Sequence, residues 1–473
     1  MIWNRELREL VAGCPAFDGL DDLVHGTTLP IGIHLGATCR VASAAQSARP
    51  AAEGAFGQPT ILEVVASVRR SGYWRAMLVA AAMVMLSPCN PTRFISGWVP
   101  YWNATQGRAG FTSAASPMFS DISPFFFSAA ADGTIGLVGT QSQLTATVNA
   151  AHGQGLKVLP SITDGSGKLV MANQILANPA SRTQHVQNIV NLAVSGGFDG
   201  IDLDYEGFAF TDGTASWPTT QLVWIAFVNE LATALHANGK LLSITIPPTW
   251  IEAGVTRGYP VYAPQQMGAV ADRVRLMVYD WSVSSPGPIS PMTWVNLVIA
   301  YNGPIVPNNK LQLGIPSYGR DWGRQVNSSE ICPDGALATH SIELENMPNL
   351  IAAHGSPTLV RDSSGEVRFT YDVVETGYST TPIPAPPYVP LPAGIPKVAD
   401  PAAAASLHPA LRLTPPNVQL SCTVRHFVYY PDAITIQAPA QAALSAGWSG
   451  VVLWALGYET QEVYQALSQT TTP

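Results

Sequence analysis

The feature that most constrains the fold of this 473-residue chain is an alternation of short apolar runs with longer amphipathic segments, which starts at Phe94. Continuous apolar runs are typical of parallel strands that are buried on both faces, and the segments between them have apolar residues at helical spacing. Eight runs that alternate with helices predict an α/β fold, the (β/α)8 TIM barrel. We predict its strands at residues 94–99, 121–127, 157–162, 198–204, 241–246, 274–279, 311–315 and 450–456. We predict helices at residues 141–152, 182–194, 219–237, 293–301 and 433–446, whereas residues 103–118 have no clear pattern.

Residues 323–425 interrupt this alternation between the seventh and eighth predicted strands. They contain a proline-rich stretch, residues 381–401, and a strand-like pattern at residues 367–372, and a second such pattern follows at residues 426–430. We therefore predict a small α+β insertion. The barrel domain then comprises two parts, residues 91–322 and residues 426–473.

The cysteines allow two interpretations. Five cysteines are too few for a disulfide framework, and none has the C-x-x-C spacing of zinc ribbons or thioredoxin-like motifs. Cys332 and Cys422 lie near the two ends of the predicted insertion. In an exported protein they could form a disulfide that closes the insertion, because oxidising compartments preserve such bonds. Two free, buried thiols are the alternative.

The first ninety residues lack the barrel pattern. Residues 1–67 show neither helical nor strand periodicity, and we interpret them as a non-native or disordered extension, with translation starting near Val68. Residues 68–90 contain three arginines, an apolar run and a Ser-Pro-Cys end. The run is shorter than the ~18 to 20 residues that span a bilayer, and its flanks predict a secretory signal. We therefore expect a bacterial protein that is secreted or attached to the cell envelope.

The cysteine at the end of this segment, Cys89, supports a second interpretation. It resembles the acylated cysteine of bacterial lipoprotein signals, although Pro88 departs from their pattern. Membrane attachment through Cys89 is therefore one alternative, and a buried helix of a globular domain is another.

Charge and motif content exclude several classes of protein. Lys and Arg total 24 against 32 Asp and Glu, a net charge of −8, whereas nucleic-acid binding needs a basic surface to meet phosphates. The chain has no H-E-x-x-H, P-loop or G-x-S-x-G motif, and its nine histidines show no paired ligand spacing. We predict no nucleic-acid partner, no metal and no organic cofactor, and we expect a monomer.

A row of acidic residues ends the fourth predicted strand. Asp202, Asp204 and Glu206 are two residues apart, so a strand places all three side chains on one face. Three carboxylates in a barrel interior cannot all ionise, so one must have a raised pKa. Glu206 is nearest the carboxyl end of the strand, where barrel active sites lie, and is the predicted proton donor. A calcium site and a solvated strand end are the alternatives, but strict alternation with apolar residues fits a calcium loop poorly.

The segment that contains this row resembles a known family. Residues 199–206 read D-G-I-D-L-D-Y-E, similar to the D-G-x-D-x-D-x-E signature of glycoside hydrolase family 18, the chitinase-like barrels. The resemblance covers about residues 94–466. Further segments resemble the family in barrel order: residues 94–102 on the first strand, 277–280 on the sixth, 313–320 on the seventh, 426–433 after the insertion and 450–457 on the eighth.

The resemblance implies a retaining, substrate-assisted mechanism, in which the substrate's own acetamido group is the nucleophile. Glu206 would protonate the glycosidic oxygen, and Asp204 would bind the acetamido N–H. Asp202 would share a proton with Asp204, and Tyr279 would donate its hydroxyl to the acetamido oxygen. Taken alone, Tyr279 and Met277 could simply be strand core. Trp454 could be an ordinary buried aromatic residue, and Arg320 could belong to a surface ion pair.

The resemblance also implies a set of substrate-binding residues. Asp280 and Arg320 would contact sugar hydroxyls, and Trp454 would form the floor on which a sugar stacks. Further candidates for substrate binding are Met277, Trp281 and Tyr101. Two residues are expected to be structural at the site, Asp199 and Ser161, and Ser161 could bond a buried carboxylate.

Two segments depart from the family pattern. Residues 161–165 read S-I-T-D-G where the family often has S-x-G-G, and residues 205–208 read Y-E-G-F where it usually has W-E-Y-P. Residues 279–281 and 318–322 resemble the bacterial branch that includes spore-cortex-lytic N-acetylglucosaminidases. The resemblance therefore predicts a hydrolase of β-1,4 linkages in glycans that contain N-acetylglucosamine, either chitin oligosaccharides or peptidoglycan. An inactive lectin that binds such sugars at the envelope is the alternative, and an envelope scaffold is a third.

Overall fold

The computed structural model describes residues 94–113, 118–378 and 419–471. The predictions for residues 1–67 and 68–90, including the signal and Cys89, lie outside the described residues, as does the proline-rich stretch. No helix in the three described ranges is both long enough and apolar enough to cross a membrane.

The described residues form strands that belong to a barrel, to an inserted sheet and to a short hairpin. The strands are Phe94–Pro100 (β1), Phe119–Ala129 (β2), Ile135–Leu137 (β3), Lys157–Val158 (β4), Ser161–Asp164 (β5), Gly200–Asp204 (β6), Leu241–Ile246 (β7), Thr249–Glu252 (β8), Val255–Gly258 (β9), Arg273–Leu276 (β10), Leu311–Pro316 (β11), Tyr318–Gln325 (β12), Thr339–Glu343 (β13), Val360–Arg361 (β14), Val367–Tyr378 (β15), Gln419–Tyr430 (β16) and Gly450–Trp454 (β17).

The helices in the same ranges alternate with the barrel strands. They are Ala104–Thr112 (α1), Gln141–Gly153 (α2), Pro179–Ser195 (α3), Gly207–Phe210 (α4), Trp217–Ala237 (α5), Pro264–Val270 (α6), Met292–Asn302 (α7), Met347–Ala353 (α8), Ala433–Ser445 (α9) and Gln461–Thr471 (α10).

Eight parallel strands close into a barrel in the order β1, β2, β5, β6, β7, β10, β11 and β17, and β17 pairs back to β1. Apolar residues of the strands, such as Ile201 and Leu203 of β6, are fully buried in the main core, and β6 packs against α3. The predicted (β/α)8 barrel is therefore confirmed.

Three of the differences from the sequence prediction have a local cause. The third strand is divided into β4 and β5 around Pro160, which has no N–H to donate. Strand β10 ends at Leu276, so the residues from Met277 onward form a loop at the carboxyl end of the barrel. The segment without a pattern contains α1, whose two glycines weaken its helical signal.

The insertion is a five-stranded antiparallel sheet in the order β13, β12, β16, β15 and β14. A disulfide joins Cys332 and Cys422, whose Cα atoms are 4.9 Å apart. The sheet starts at Tyr318 and ends at Tyr430, beyond the predicted bounds at both ends. The inserted sheet begins earlier than predicted because only Ser317 separates β11, the seventh barrel strand, from β12, a strand of the inserted sheet.

Candidate active site

The deepest member of the acidic row is Asp202, which is fully buried inside the barrel. Its carboxylate accepts hydrogen bonds from Trp98 Nε1 (2.9 Å), Ser161 Oγ (2.7 Å) and Thr245 Oγ1 (2.9 Å). The guanidinium of Arg275 lies 3.3 Å away. Burial alone would raise the pKa of Asp202, but Arg275 and these hydrogen bonds hold that pKa below its usual value. Asp202 is therefore ionised.

Arg275 is the centre of a buried polar network under the acidic row. It donates to Asp121 Oδ1 (2.7 Å), Ser123 Oγ (2.7 Å) and Gln312 Oε1 (3.0 Å). Arg273 also pairs with Asp121, at 3.1 Å. The sequence analysis missed this network. Its only signal in the sequence is the spacing of Arg273 and Arg275, which are two residues apart on β10 and so point to the same face. Charged side chains are rarely buried without partners, so two arginines on an inward face indicate a buried polar network.

The next inward-facing carboxyl of the row, Asp204, is only 3% exposed. Burial first, and then the negative charges of Glu206 and Asp202, raise the pKa of Asp204 well above its usual value. Asp204 Oδ1 is buried and accepts no hydrogen bond from the described part of the chain. The two carboxyl groups at the base of the site therefore have pKa values shifted in opposite directions, and Asp204 Oδ1 has no hydrogen-bond donor among the described residues.

Glu206 lies two residues after the end of β6 and immediately before α4, so it stands at the carboxyl end of the barrel. Its side chain is half-buried. Burial first, and then the charges of Asp164 and Asp280, raise the pKa of Glu206 to about 7. A carboxyl with that pKa holds its proton close to neutral pH, which is what a proton donor requires.

A fourth carboxylate at the site, Asp164, was not predicted. It ends β5, the strand next to β6, and accepts the backbone N–H of Glu206 (2.9 Å) and of Gly207 (2.8 Å). Burial raises the pKa of Asp164 to about 6, although the two hydrogen bonds act in the opposite direction. Its signal in the sequence is a carboxylate at the carboxyl end of a barrel strand.

The loop after β10 and the start of β12 form the opposite wall of the site. Asp280 Oδ1 accepts hydrogen bonds from Arg320 Nη2 (2.7 Å) and from the Tyr318 hydroxyl. Asp280 has φ of 61°, a conformation that is uncommon for a residue with a side chain and that recurs at functional sites. The structure thus brings together the predicted Asp280 and Arg320 and adds Tyr318.

The predicted hydroxyl donor, Tyr279, lies in the same loop and is half-buried. Its ring centroid is 6.3 Å from that of Tyr318. Burial first, and then Tyr318, Asp204 and Glu206, raise the pKa of Tyr279 well above its usual value. The phenol therefore keeps its proton and can act as a hydrogen-bond donor near the acidic row.

Aromatic side chains line the site beside Trp454, which ends β17 and is partly exposed. Its ring centroid lies 5.0 Å from Phe125, 5.8 Å from Trp98 and 6.3 Å from Trp102. Trp102 is 52% exposed, and its Nε1 donates to the Tyr458 hydroxyl at 2.7 Å. The sequence analysis singled out Trp454 but missed these aromatic neighbours, because Trp98 and Phe125 lie on other strands and Trp102 lies in the turn after β1.

The remaining predicted binding residues lie around this centre. Tyr101 is half-buried and packs edge-on against Phe126, with centroids 6.3 Å apart. Met277 is half-buried at the start of the loop after β10. Trp281, in the same loop, is 44% exposed and packs against Trp294, with centroids 5.1 Å apart.

The two residues expected to be structural differ in position. Ser161 is buried and binds the Asp202 carboxylate, as described above. Asp199 precedes β6, at the opposite end of the strand from Glu206, and accepts the Val158 N–H at 2.8 Å. It also lies 3.0 Å from His152 Nε2. In residues 94–113, 118–378 and 419–471, no group of three or more His, Cys, Asp or Glu side chains could hold a metal ion.

Comparison with known proteins assigns the family. A family model described as "Glycosyl hydrolases family 18" matches residues 96–459. This match covers most of the chain and contains the acidic row, Tyr279, Asp280 and Trp454. The chain therefore belongs to glycosyl hydrolase family 18, and so to the glycoside hydrolases.

Two curated relatives are similar to part of the chain. It is 30% identical over 210 residues to YdhD of Bacillus subtilis, whose name describes a sporulation-specific glycosylase, with 44% of this chain and 47% of that protein covered. It is 24% identical over 213 residues to the cortical fragment-lytic enzyme of Bacillus anthracis, with 45% and 47% covered. The chain spans about half the length of the curated relatives it matches.

Solved structures show the same fold. A chitinase from Chromobacterium violaceum aligns with a TM-score of 0.59 at 19% identity, covering 80% of this chain and 99% of that one. The spore cortex-lytic enzyme SleL of Bacillus megaterium aligns with a TM-score of 0.59 at 19% identity, covering 81% and 75%.

Proposed function

We propose that this protein hydrolyses β-1,4 linkages in glycans that contain N-acetylglucosamine, by a retaining, substrate-assisted mechanism. The observation that carries the proposal is the combination of Glu206, an acid with a pKa of about 7, and Asp204 Oδ1, a buried acceptor without a donor in the described chain. Leaving such an acceptor unpaired costs ~1–3 kcal/mol, and the N–H of an acetamido group would satisfy it.

The proposed reaction has two steps. In the first, Glu206 gives its proton to the glycosidic oxygen while the bond from that oxygen to C1 breaks. The carbonyl oxygen of the substrate's acetamido group attacks C1 and forms an oxazolinium ion, so no enzyme carboxylate is the nucleophile. In the second, water attacks C1, the ring of the ion opens, and a proton from the water returns to Glu206. Two inversions at C1 retain its configuration.

Three residues would position and stabilise the acetamido group. Asp204 would accept its N–H, and the protonated Tyr279 hydroxyl would donate to its oxygen. Asp202, which Arg275 keeps ionised, would supply a fixed negative charge under the developing cation. Such charges are effective because the barrel interior excludes water and the groups need no reorganisation.

The walls of the site support a carbohydrate substrate. Trp454 and the exposed Trp102 offer aromatic faces of the kind on which sugar rings stack, and the Asp280–Arg320 pair offers polar groups for hydroxyls. Relatives and structural neighbours carry names of both cortex-lytic enzymes and chitinases. We therefore take peptidoglycan and chitin oligosaccharides as the two candidate substrates.

The test is product analysis by mass spectrometry. Wild-type protein and Glu206→Gln would receive N-acetylchitooligosaccharides and peptidoglycan in parallel, with Glu462→Gln on the exposed surface of α10 as the matched control. We expect new reducing N-acetylglucosamine ends with the wild type and the control. We expect none with Glu206→Gln, because that variant lacks the proton donor but keeps the shape of the site.

The two substrates and the alternative functions give different outcomes. Products from peptidoglycan alone indicate a cell-wall enzyme, and products from chito-oligomers indicate a chitinase or a broader hexosaminidase. Sugar binding without turnover in the wild type would replace this proposal with a lectin function. Neither binding nor turnover would indicate a scaffold.

We also propose that the protein is exported. The basic and apolar segment before residue 90 supports this, and so does the disulfide between Cys332 and Cys422, because such bonds persist in oxidising compartments. The mature N-terminus and any acyl group on Cys89 can be read by mass spectrometry of protein from the medium and from the envelope. An intact peptide that starts at Met1, from protein retained inside the cell, would contradict the proposal.

A further inference from the structure

The proton donor is held by a carboxylate that belongs to a different strand. Asp164 ends β5 and lies next to β6 in the barrel, where Thr163 pairs with Asp204. Its two oxygens bind successive amides, Oδ1 that of Glu206 at 2.9 Å and Oδ2 that of Gly207 at 2.8 Å. These are the amides at which the chain leaves the strand, so this contact sets the direction in which the Glu206 side chain points.

The close approach of this carboxylate depends on the residue after Glu206. A Cβ added at Gly207 would lie 2.4 Å from Asp164 Oδ2 and 3.2 Å from Thr211 Oγ1. Any residue other than glycine at this position would therefore push the carboxylate away from the two amides. Asp164 thus provides the carboxylate that accepts the two amide hydrogen bonds, and the missing side chain of Gly207 leaves room for that carboxylate.

The same carboxylate acts on Glu206 electrostatically. Asp204 on β6, Asp164 on β5 and Asp280 in the loop after β10 are the acidic groups that interact with Glu206. Three phenols also interact with it: those of Tyr259 and Tyr262 in the segment before α6 and that of Tyr279 in the loop after β10. Negative charge on Asp164 favours the protonated form of Glu206.

We propose that Asp164 is a positioning residue for the proton donor: its carboxylate binds the Glu206 and Gly207 amides, orients the Glu206 side chain and places a second carboxyl group beside it. The inference rests on the proposed function, because it takes Glu206 as the acid. If Asp164 served stability alone, it would bind the same two amides, but its removal would leave the pKa of Glu206 unchanged.

The test is the pH dependence of kcat/KM for Asp164→Asn. A general acid works only while it is protonated, so activity is present below the pKa of Glu206 and is lost as pH rises through it. Removing the neighbouring charge lowers that pKa. We therefore expect the basic limb of the profile to move to lower pH, and the maximum of kcat/KM to fall about ten- to a hundredfold as the contact with the two amides loosens.

A matched control separates positioning from stability. Asp432 caps α9, where it accepts the Thr435 N–H at 2.9 Å, and pairs with Arg361. Asp432→Asn should lower the thermal midpoint and leave the pH profile unchanged. Asp164→Ser, which retains a neutral acceptor, should show the same shift as Asp164→Asn and serves if the amide variant folds poorly. An unshifted basic limb in both Asp164 variants would overturn the inference.

A direct titration keeps this result distinct from the fate of the proposed function. The pKa of Glu206 can be followed by NMR of protein with ¹³C-labelled glutamate, using Glu206→Gln to assign its signal. A lower Glu206 pKa in Asp164→Asn than in the wild type supports the role of Asp164, even if the wild type shows no turnover. Absence of turnover in the wild type would refute the proposed function instead. If the wild type is active and the Glu206 pKa is the same in Asp164→Asn, only the role of Asp164 is refuted.

Discussion

Asp202 and Asp204 are chemically identical and lie two positions apart on one strand, yet their surroundings shift their pKa values in opposite directions. A guanidinium and hydrogen-bond donors hold the pKa of Asp202 below its usual value, whereas burial first, and then the charges of Glu206, Asp202 and Asp164, raise the pKa of Asp204. The difference in environment therefore separates the pKa values of two like groups within one short segment.

Arg275 should be essential for the stability of the barrel. Arg275→Met leaves the buried Asp121 and Asp202 without this counter-charge, and breaking a buried pair in this way costs ~3–5 kcal/mol. Urea unfolding at pH 7 should show that loss. Arg425→Met, which removes one member of the exposed Arg425–Asp372 pair, is the control and should unfold at the wild-type midpoint. An Arg275→Met protein as stable as the wild type would contradict the ion-pair assignment.

Tyr279 should act mainly on the rate of the chemical step. Tyr279→Phe removes the hydroxyl proposed to bind the acetamido oxygen, where charge develops in the transition state. Losing one such donor typically lowers kcat by ~10²–10³, and we expect KM to change little. Steady-state kinetics on chito-oligomers would measure both constants. Tyr301→Phe on the outer helix α7 is the control, and equal kinetics of the two variants would exclude the assigned role.

At the scale of elements, the inserted sheet supports the loop that carries Tyr279 and Asp280. Glu366, just before β15, accepts the N–H of Ile289 at 2.8 Å and of Ser290 at 2.5 Å. The insertion therefore contacts the loop after β10 through Glu366. Its strand β12 also contributes Tyr318 and Arg320 to the site.

The disulfide should stabilise this sheet. It closes a loop with a sequence separation of 90, and cross-links of this kind contribute ~2–4 kcal/mol, chiefly by restricting the unfolded chain. The double variant Cys332→Ser/Cys422→Ser should unfold at lower urea than the oxidised wild type. The reduced wild type should have the same urea midpoint as the double variant. If reductant does not change the urea midpoint of the wild type, the bond is absent in solution.

At the scale of the whole molecule, several buried carboxyl groups have raised pKa values. Burial raises the pKa of Glu206, Glu366 and Glu459 to about 7 and that of Asp164 to about 6. The folded protein therefore holds more protons than the unfolded chain in the window from their ordinary values near pH 4 up to pH 7. His185, whose pKa burial lowers, acts in the opposite direction but is a single group.

The thermal midpoint should consequently be lower at pH 8 than at pH 5. Protonated carboxyl groups in the folded state favour folding below this window, and that contribution is lost as pH rises through the raised pKa values. Scanning calorimetry at the two pH values measures the difference. Glu459→Gln replaces one of these groups by a neutral amide and should narrow the difference, whereas an equal or higher midpoint at pH 8 would contradict the prediction.

Much of the barrel and the acidic row followed from local patterns. Period-two spacing placed Asp202 and Asp204 on one face, and continuous apolar runs marked the strands, because both signals depend only on neighbours along the chain. Loop geometry was less accessible. The early end of β10 and the continuation of β11 into β12 depend on which strands pair, so the sequence predicted those boundaries incorrectly.

The sequence by itself determined the (β/α)8 architecture, the position of the acidic row and the identity of the predicted proton donor. Only the tertiary structure decided which carboxyl has a lowered pKa and which a raised one, because those pKa values depend on Arg275, Ser161 and Asp164. These residues come from other strands and approach the row only when the barrel closes. The sequence specifies the chemical type of each side chain, whereas the pKa of a side chain depends on its burial and on charges that folding brings close to it.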